Sequence, residues 1–70
     1  MHDEDLRKSL GSIIREAREM RGWTRYELAK RTGLGATHIA CIENGVYSIR
    51  VDVLNRICNA LALSITFPRN

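Results

Sequence analysis

The first twenty residues carry an apolar stripe at helical spacing. Its members recur at steps of three or four and are Leu6, Leu10, Ile13, Ile14, Ala17 and Met20. This spacing is typical of one face of an α-helix, so these side chains are predicted to face a core. Asp3 or Asp5 is placed to cap the start of this helix, and Gly22 is placed to end it.

Two start signals predict a second helix. Thr24 followed three residues later by Glu27 forms a capping box, in which each residue can satisfy a backbone N–H of the other. Trp23 and Leu28 are spaced for a hydrophobic staple across the same helix start. Together these signals predict a helix over residues 25–32.

Glycines mark the ends of the next two segments. Gly33 is predicted to end the second helix, where it supplies the positive φ that a helix end needs. Gly45 is predicted to end the third helix in the same way. Between them the pattern predicts a third helix over residues 36–44, with Ile39 and Ile42 facing inward.

A fourth helix is predicted over residues 51–62. Asp52 lies in its first turn, where negative charge favours the helix dipole. Its inward residues are spaced at three, one and three and are Leu54, Ile57, Cys58 and Leu61.

The pattern then changes to a period of two. Leu63, Ile65 and Phe67 alternate with smaller or polar residues, which predicts a short strand over residues 63–67. A lone strand edge favours pairing with a second copy of the chain across a two-fold axis. These three residues are therefore candidates for a homodimer interface, with a coil folded back over the helices as the alternative.

The size and charge of the chain limit the classes of function that it can have. The chain has 70 residues and 8.0 kDa, which predicts a single domain, residues 1–70, too small for a deep catalytic cavity. Residues 1–5 are predicted to form an acidic tail, so residues 6–70 carry eleven basic against five acidic residues, or +6. This charge fits an anionic partner such as nucleic acid, and also an ordinary solvated surface.

Several classes of protein are disfavoured. Cys41 and Cys58 are the only cysteines, which gives neither a disulfide framework nor a metal site, and no cofactor is expected. The sequence has no nucleophile–base grouping, apolar membrane span or secretory signal. We therefore expect a cytoplasmic protein that is neither an enzyme nor a membrane protein.

The second and third helices form one unit. Their connection is so short that they must cross steeply, which requires a small residue, Ala29, at the crossing and the turn glycine, Gly33. This is the helix-turn-helix arrangement, in which the second helix enters the DNA major groove.

At these positions the chain resembles the Cro/cI-type (XRE, lambda-repressor-like) helix-turn-helix family. The residues that carry the resemblance are Arg18, Gly22, Thr24, 27–29, Gly33, Ile39, 43–45 and 54–61. The resemblance implies an all-α bundle of four to five helices that binds operator DNA as a homodimer and regulates transcription. The predicted fold is therefore this bundle plus a short C-terminal β-strand paired across a dimer.

The end of the chain also resembles the HipB-type antitoxin branch. There a strand follows the fourth helix, and the protein binds a toxin as well as its own operon. A toxin protein is therefore the alternative partner. The chain departs from the family pattern at three sites. Arg25 replaces the usual Gln, Gly35 replaces the usual Ser or Thr, and residues 49–50 replace the usual Pro-Ser.

The third helix supplies the candidate DNA-reading surface. With its isoleucines inward, the outward residues are Thr37, Ala40, Cys41 and Asn44, and Ala36 lies at the flank near the start of the helix. Ala36, Thr37 and Ala40 suit contact with thymine methyls. The alternative is that these small residues only allow the helix to sit deep in the groove. The resemblance places Arg25 and Arg50 at the DNA backbone. The remaining candidate DNA-binding residues are Gly35, His38, Cys41, Asn44 and Tyr47, of which Tyr47 has core packing as an equal alternative.

Other conspicuous residues are assigned to structure. The resemblance implies that Arg18 and Glu43 form an ion pair that fixes the third helix against the first. Loss of one partner of a buried pair costs about 3–5 kcal/mol. The remaining structural assignments are Trp23, Thr24, Glu27, Ala29 and Gly33.

Overall fold

The computed structural model describes residues 3–46 and 48–63, and these ranges contain four α-helices and no strand. The helices are α1 (Asp3–Met20), α2 (Arg25–Thr32), α3 (Ala36–Glu43) and α4 (Val51–Leu61). The all-helical prediction is confirmed. The bounds of α2 match the prediction, while α3 and α4 each end one residue earlier than predicted. Apart from Leu63, the predicted strand over residues 63–67 lies outside the described residues.

The first helix begins earlier than predicted. It starts at Asp3 rather than near Leu6, so the acidic residues from Asp3 onward belong to its first turn and not to a separate tail. Glu4 lies 3.2 Å from Lys8 one turn later. Negative charge at this end stabilises the helix through its dipole.

The inward face of α1 is narrower than its apolar stripe predicted. Ile14 and Ala17 are buried, but Leu6 and Ile13 are 48% and 49% exposed and Met20 is 86% exposed. The prediction that these last three face the core is wrong. The helix instead presents Gly11 to the backbone of α3, and this close approach leaves one flank of the stripe outside the core.

The core lies where the four helices meet. Both α3 and α4 pack against α1 and α2. Side chains that are less than 2% exposed fill the centre, and they are Ile14, Leu28, Ile39, Ile42, Ile57 and Leu61. The inward residues predicted for α3 and α4 are thus confirmed, and Cys58 is buried with them.

One of the two hydrogen bonds of the predicted capping box is present at the start of α2. The Thr24 hydroxyl accepts a hydrogen bond from the Glu27 N–H at 3.0 Å, which is worth about 1 kcal/mol. The Glu27 carboxylate instead lies 3.1 Å from Arg31 Nε, because both side chains project from the same face one turn apart. Trp23 packs against the core, and the Arg31 guanidinium lies over its ring at 4.1 Å from the centroid.

The end of α4 is closed by backbone hydrogen bonds. Ala62 adopts a left-handed conformation with φ 56°, and the Leu63 N–H donates to the Cys58 carbonyl at 2.8 Å. This pattern satisfies carbonyls that a helix end leaves unpaired. Arg21, which follows the last residue of α1, donates to the Leu61 carbonyl. Leu63 is half-buried against the chain's own core.

No helix in the described part of the chain is both long and apolar enough to cross a lipid bilayer.

Candidate nucleic-acid interface

The turn between α2 and α3 is built around the carbonyl of Ala29. This oxygen accepts hydrogen bonds from the N–H groups of Gly33 at 2.9 Å and Leu34 at 3.1 Å. Gly33 has φ 77°, a conformation that costs glycine little and other residues more. Ala29 itself is buried, so the predicted small residue at the crossing and the predicted turn glycine are both present.

Helix α3 is anchored through one face. Ile39 and Ile42 are essentially unexposed, and Gly35 begins the helix in an extended conformation without a side-chain cap. The opposite face is available to solvent. Thr37 and Asn44 are exposed there, while Ala36, Ala40 and Cys41 are half-buried.

The outward face of α3 is small and largely uncharged. Its alanines and Thr37 present methyl groups, and His38 is half-buried beside them. The described residues of this face include no arginine or glutamine that could pair with a guanine or adenine edge. The surface can therefore approach another molecule closely but offers few strong hydrogen-bonding groups.

A buried carboxylate fixes the angle of α3. The Glu43 side chain is 0% exposed, and Arg18 donates to it through Nε at 2.6 Å and through Nη2 at 3.0 Å. A third donor of Arg18, Nη1, reaches the Trp23 carbonyl at 2.7 Å. The predicted pairing of Arg18 with Glu43 is therefore present, and the hydrogen bond to Glu43 raises the pKa of Arg18.

Arg25 joins the same carboxylate. Its Nε donates to Glu43 Oε1 at 3.0 Å, and its side chain is 37% exposed. Sequence reasoning assigned Arg25 to the DNA backbone and missed this ion pair, because the partners are 18 residues apart and meet only through the crossing of α2 with α3. Arg25 thus connects the first residue of α2 to the last residue of α3.

Tyr26 is a second residue that sequence reasoning missed. It follows Arg25 at the start of α2 and is 75% exposed. The available signal was its position beside Leu28 and Ala29, since those two residues face inward and leave Tyr26 on the outer side. An aromatic ring with a hydroxyl at this site can pack against a sugar or donate to a phosphate.

The segment between α3 and α4 contributes more exposed groups. Val46 and Ser48 are exposed, and the Arg50 side chain is 82% exposed and lies 3.5 Å from Asp52. Tyr47 lies outside the described residues. The structure thus brings Arg25, Gly35, Thr37 and the neighbouring α3 positions onto one two-helix unit, with Arg50 on the connection that follows.

Within the described ranges, no three His, Cys, Asp or Glu side chains lie close enough to hold a metal ion. Burial raises the pKa of Cys58, so this thiol is less reactive than an exposed one at neutral pH.

The chain matches known proteins over this same region. A family model described as "Helix-turn-helix" matches residues 14–67. The crystal structure of the clp gene regulator ClgR from C. glutamicum has a TM-score of 0.79 and 30% sequence identity. That match covers 84% of this chain and 77% of the other.

Two further proteins are similar in sequence. One is named "Neisseria hypothetical transcription factor", from Neisseria meningitidis serogroup B, and is 29% identical over 62 residues. The other is the "ImmF control region 10 kDa protein" of Bacillus phage phi105, 33% identical over 58 residues. The matches cover 89% and 83% of this chain but only 58% and 64% of the two relatives.

Proposed function

The chain belongs to the XRE/Cro-cI-type helix-turn-helix family of DNA-binding transcription regulators, and we propose that it is a sequence-specific repressor that binds a palindromic operator as a homodimer. The observation that carries this proposal is the anchored helix α3. Its isoleucines are buried, and its opposite face exposes Thr37 near the start of the helix and leaves Ala40 and Cys41 half-buried. A helix anchored in this way can present that face to a major groove.

In this proposal α3 reads base edges. Ala36, Thr37 and Ala40 contact thymine methyls, and Cys41 lies deeper along the same face. Because this face has few strong hydrogen-bonding groups, direct readout is modest and the shape of the DNA supplies part of the specificity.

Residues around α3 contact the DNA backbone. Arg25 and Tyr26 do so from the start of α2, and Arg50 does so from the connection to α4. Gly35, His38, Asn44 and Tyr47 complete the proposed footprint. Phosphate contacts of this kind fix the register of the protein on the duplex without reading its sequence.

The homodimer follows from the size of the unit. One copy makes few phosphate contacts, whereas two copies with half-sites about 34 Å apart occupy successive major grooves on one side of the duplex. Leu63, Ile65 and Phe67 form the proposed dimer contact. Occupation of a promoter by such a dimer represses transcription without any catalytic step.

A toxin-binding antitoxin is the second candidate. It is favoured by the exposed apolar flank of α1, formed by Leu6, Ile13 and Met20, since such a flank fits a protein partner. The test is whether a neighbouring reading frame encodes a toxin and whether the two purified proteins form a complex at micromolar concentration. Failure of the two purified proteins to associate would remove this candidate, and a complex that leaves the flank exposed to solvent would place the contact on another surface.

Selection of duplexes from a random pool tests the main proposal. We expect enrichment of a two-fold symmetric site, with half-sites one helical turn apart. Binding to the selected duplex should weaken steeply as salt rises, because bound phosphates release counterions. Arg25→Ala should flatten this salt dependence, and Arg56→Ala on the exposed face of α4 is the matched control. A pool that yields no enriched sequence even at low salt would refute the proposal.

A further inference from the structure

Arg25 makes a hydrogen bond to Glu43 through one edge of its guanidinium only. Its Nε–H donates to Glu43, which uses one of the five N–H donors that an arginine carries. Within residues 3–46 and 48–63, Nη1 and Nη2 have no hydrogen-bond partner, and the side chain is 37% exposed. The Nη1 and Nη2 groups therefore make no hydrogen bond within the described residues, on a side chain that solvent partly reaches.

The acceptor that holds Arg25 is itself fixed. Glu43 is fully buried, and Arg18 grips both of its oxygens with the two-point geometry that a guanidinium and a carboxylate favour. Arg18 is in turn tied to the Trp23 carbonyl. Glu43 Oε1 is thus a rigid acceptor at the end of α3, and a hydrogen bond to it restricts the plane of the Arg25 guanidinium.

We propose that Glu43 is a positioning residue for DNA binding, because it orients the Nη1/Nη2 edge of Arg25 toward a backbone phosphate. This inference rests on the proposed function. An arginine can donate to Glu43 from one edge and bind a phosphate with two parallel hydrogen bonds from another. A lysine cannot, because its ammonium is a single point of charge.

The arrangement couples backbone binding to the reading helix. Arg25 is the first residue of α2 and Glu43 is the last residue of α3. A phosphate bound by Arg25 therefore fixes the start of α2 and, through Glu43, the angle at which α3 lies in the groove. Glu43 makes this contribution without touching DNA.

The decisive comparison is between two substitutions of Arg25. Arg25→Lys keeps the charge and Arg25→Ala removes it. If Glu43 orients the guanidinium, both variants should bind the selected duplex about tenfold more weakly than the wild type, the size expected for a charge-assisted hydrogen bond. The matched controls Arg56→Lys and Arg56→Ala should bind like the wild type. Arg25→Lys binding as tightly as the wild type would overturn the inference.

The DNA affinity of Glu43→Gln supplies a second measurement. Circular dichroism gives the folded fraction of this variant, so that the affinity can be expressed per folded protein. In the wild-type background the substitution should weaken DNA binding by the folded protein. In the Arg25→Ala background the loss should be clearly smaller, because only the effect of the pair between Arg18 and Glu43 on α3 remains. Equal losses in the two backgrounds would mean that Glu43 acts independently of Arg25 and would overturn the inference. A wild-type protein that binds no duplex at low salt would refute the proposed function itself, so the two failures are distinct.

Discussion

Gly11 of α1 lies directly against the carbonyl oxygen of Glu43 at the end of α3. A Cβ atom at Gly11 would lie 2.4 Å from this oxygen and 2.6 Å from the carbonyl oxygen of Ile42. Both distances are far inside van der Waals contact, so the two backbones can approach this closely only with glycine at this position. The position of α3 thus depends on Gly11 as well as on the ion pair between Arg18 and Glu43.

Gly11→Ala should therefore destabilise the protein. Alanine is the better helix former by about 1 kcal/mol, but the clash with rigid backbone should outweigh this and give a net loss of about 1–3 kcal/mol. Urea unfolding followed by the fluorescence of Trp23, the single tryptophan, measures this loss. Ser12→Ala at the adjacent exposed position is the control and should be neutral or slightly stabilising. A Gly11→Ala variant as stable as the wild type would contradict the close approach.

The two arginines on Glu43 should differ in their contribution to stability. Arg18 is 9% exposed and Arg25 is 37% exposed. Arg18→Ala should lower the free energy of unfolding by about 3–5 kcal/mol, as expected when a buried pair is broken. Arg25→Ala leaves the buried pair intact and should cost no more than about 1 kcal/mol. Equal losses in urea unfolding would mean that the two guanidinium groups are interchangeable.

Cys58 should make stability depend on alkaline pH. Burial raises the pKa of this thiol above the 9.0 of an unperturbed cysteine. Its neutral form is therefore favoured in the folded state, and this contribution is fully present below about pH 9 and is lost as pH rises through the folded-state pKa. The stability difference between the wild type and Cys58→Ala should be constant up to pH 9 and should shift against the wild type above it. A difference that stays constant to pH 10 would contradict the assigned burial.

Base reading and backbone binding should respond to different substitutions. Thr37→Ala should change the relative affinities for single-base variants of the selected site while leaving the salt dependence unchanged. Arg50→Ala should weaken binding to all sequences alike and reduce the slope of log affinity against log salt by about one per bound subunit. Fluorescence anisotropy over a salt series measures both. If Arg50→Ala alters base preference and Thr37→Ala alters only the slope, the assigned roles are reversed.

Local signals in the sequence were sufficient for α2 and the turn. Thr24 and Gly33 act within one turn of their own helix, so their hydrogen bonds and dihedral angles can be predicted from spacing alone. The inward face of α3 followed in the same way from Ile39 and Ile42.

Contacts between helices that are far apart in the sequence could not be predicted from local patterns. The apolar stripe of α1 could not identify Ile13 and Met20 as exposed, because a helix with apolar residues over a wide arc permits several inward directions. The close approach of Gly11 to the backbone of α3 fixes which side of α1 faces inward. This contact can be recognised only when the position of α3 is known. The ion pair between Arg25 and Glu43 depends on the same crossing.

Protection of Cys41 from alkylation tests the role of α3 most directly. The thiol is half-buried on the outer side of α3, and Cys58→Ala removes the other cysteine so that iodoacetamide reports on Cys41 alone. A cysteine on α1, introduced by Ser9→Cys with both native cysteines replaced, is the control and should react at the same rate with and without DNA. If α3 enters the major groove, the rate at Cys41 should fall in proportion to the fraction of protein bound to the selected duplex. An unchanged rate at saturating DNA, with binding verified by anisotropy in the same sample, would mean that α3 does not read DNA.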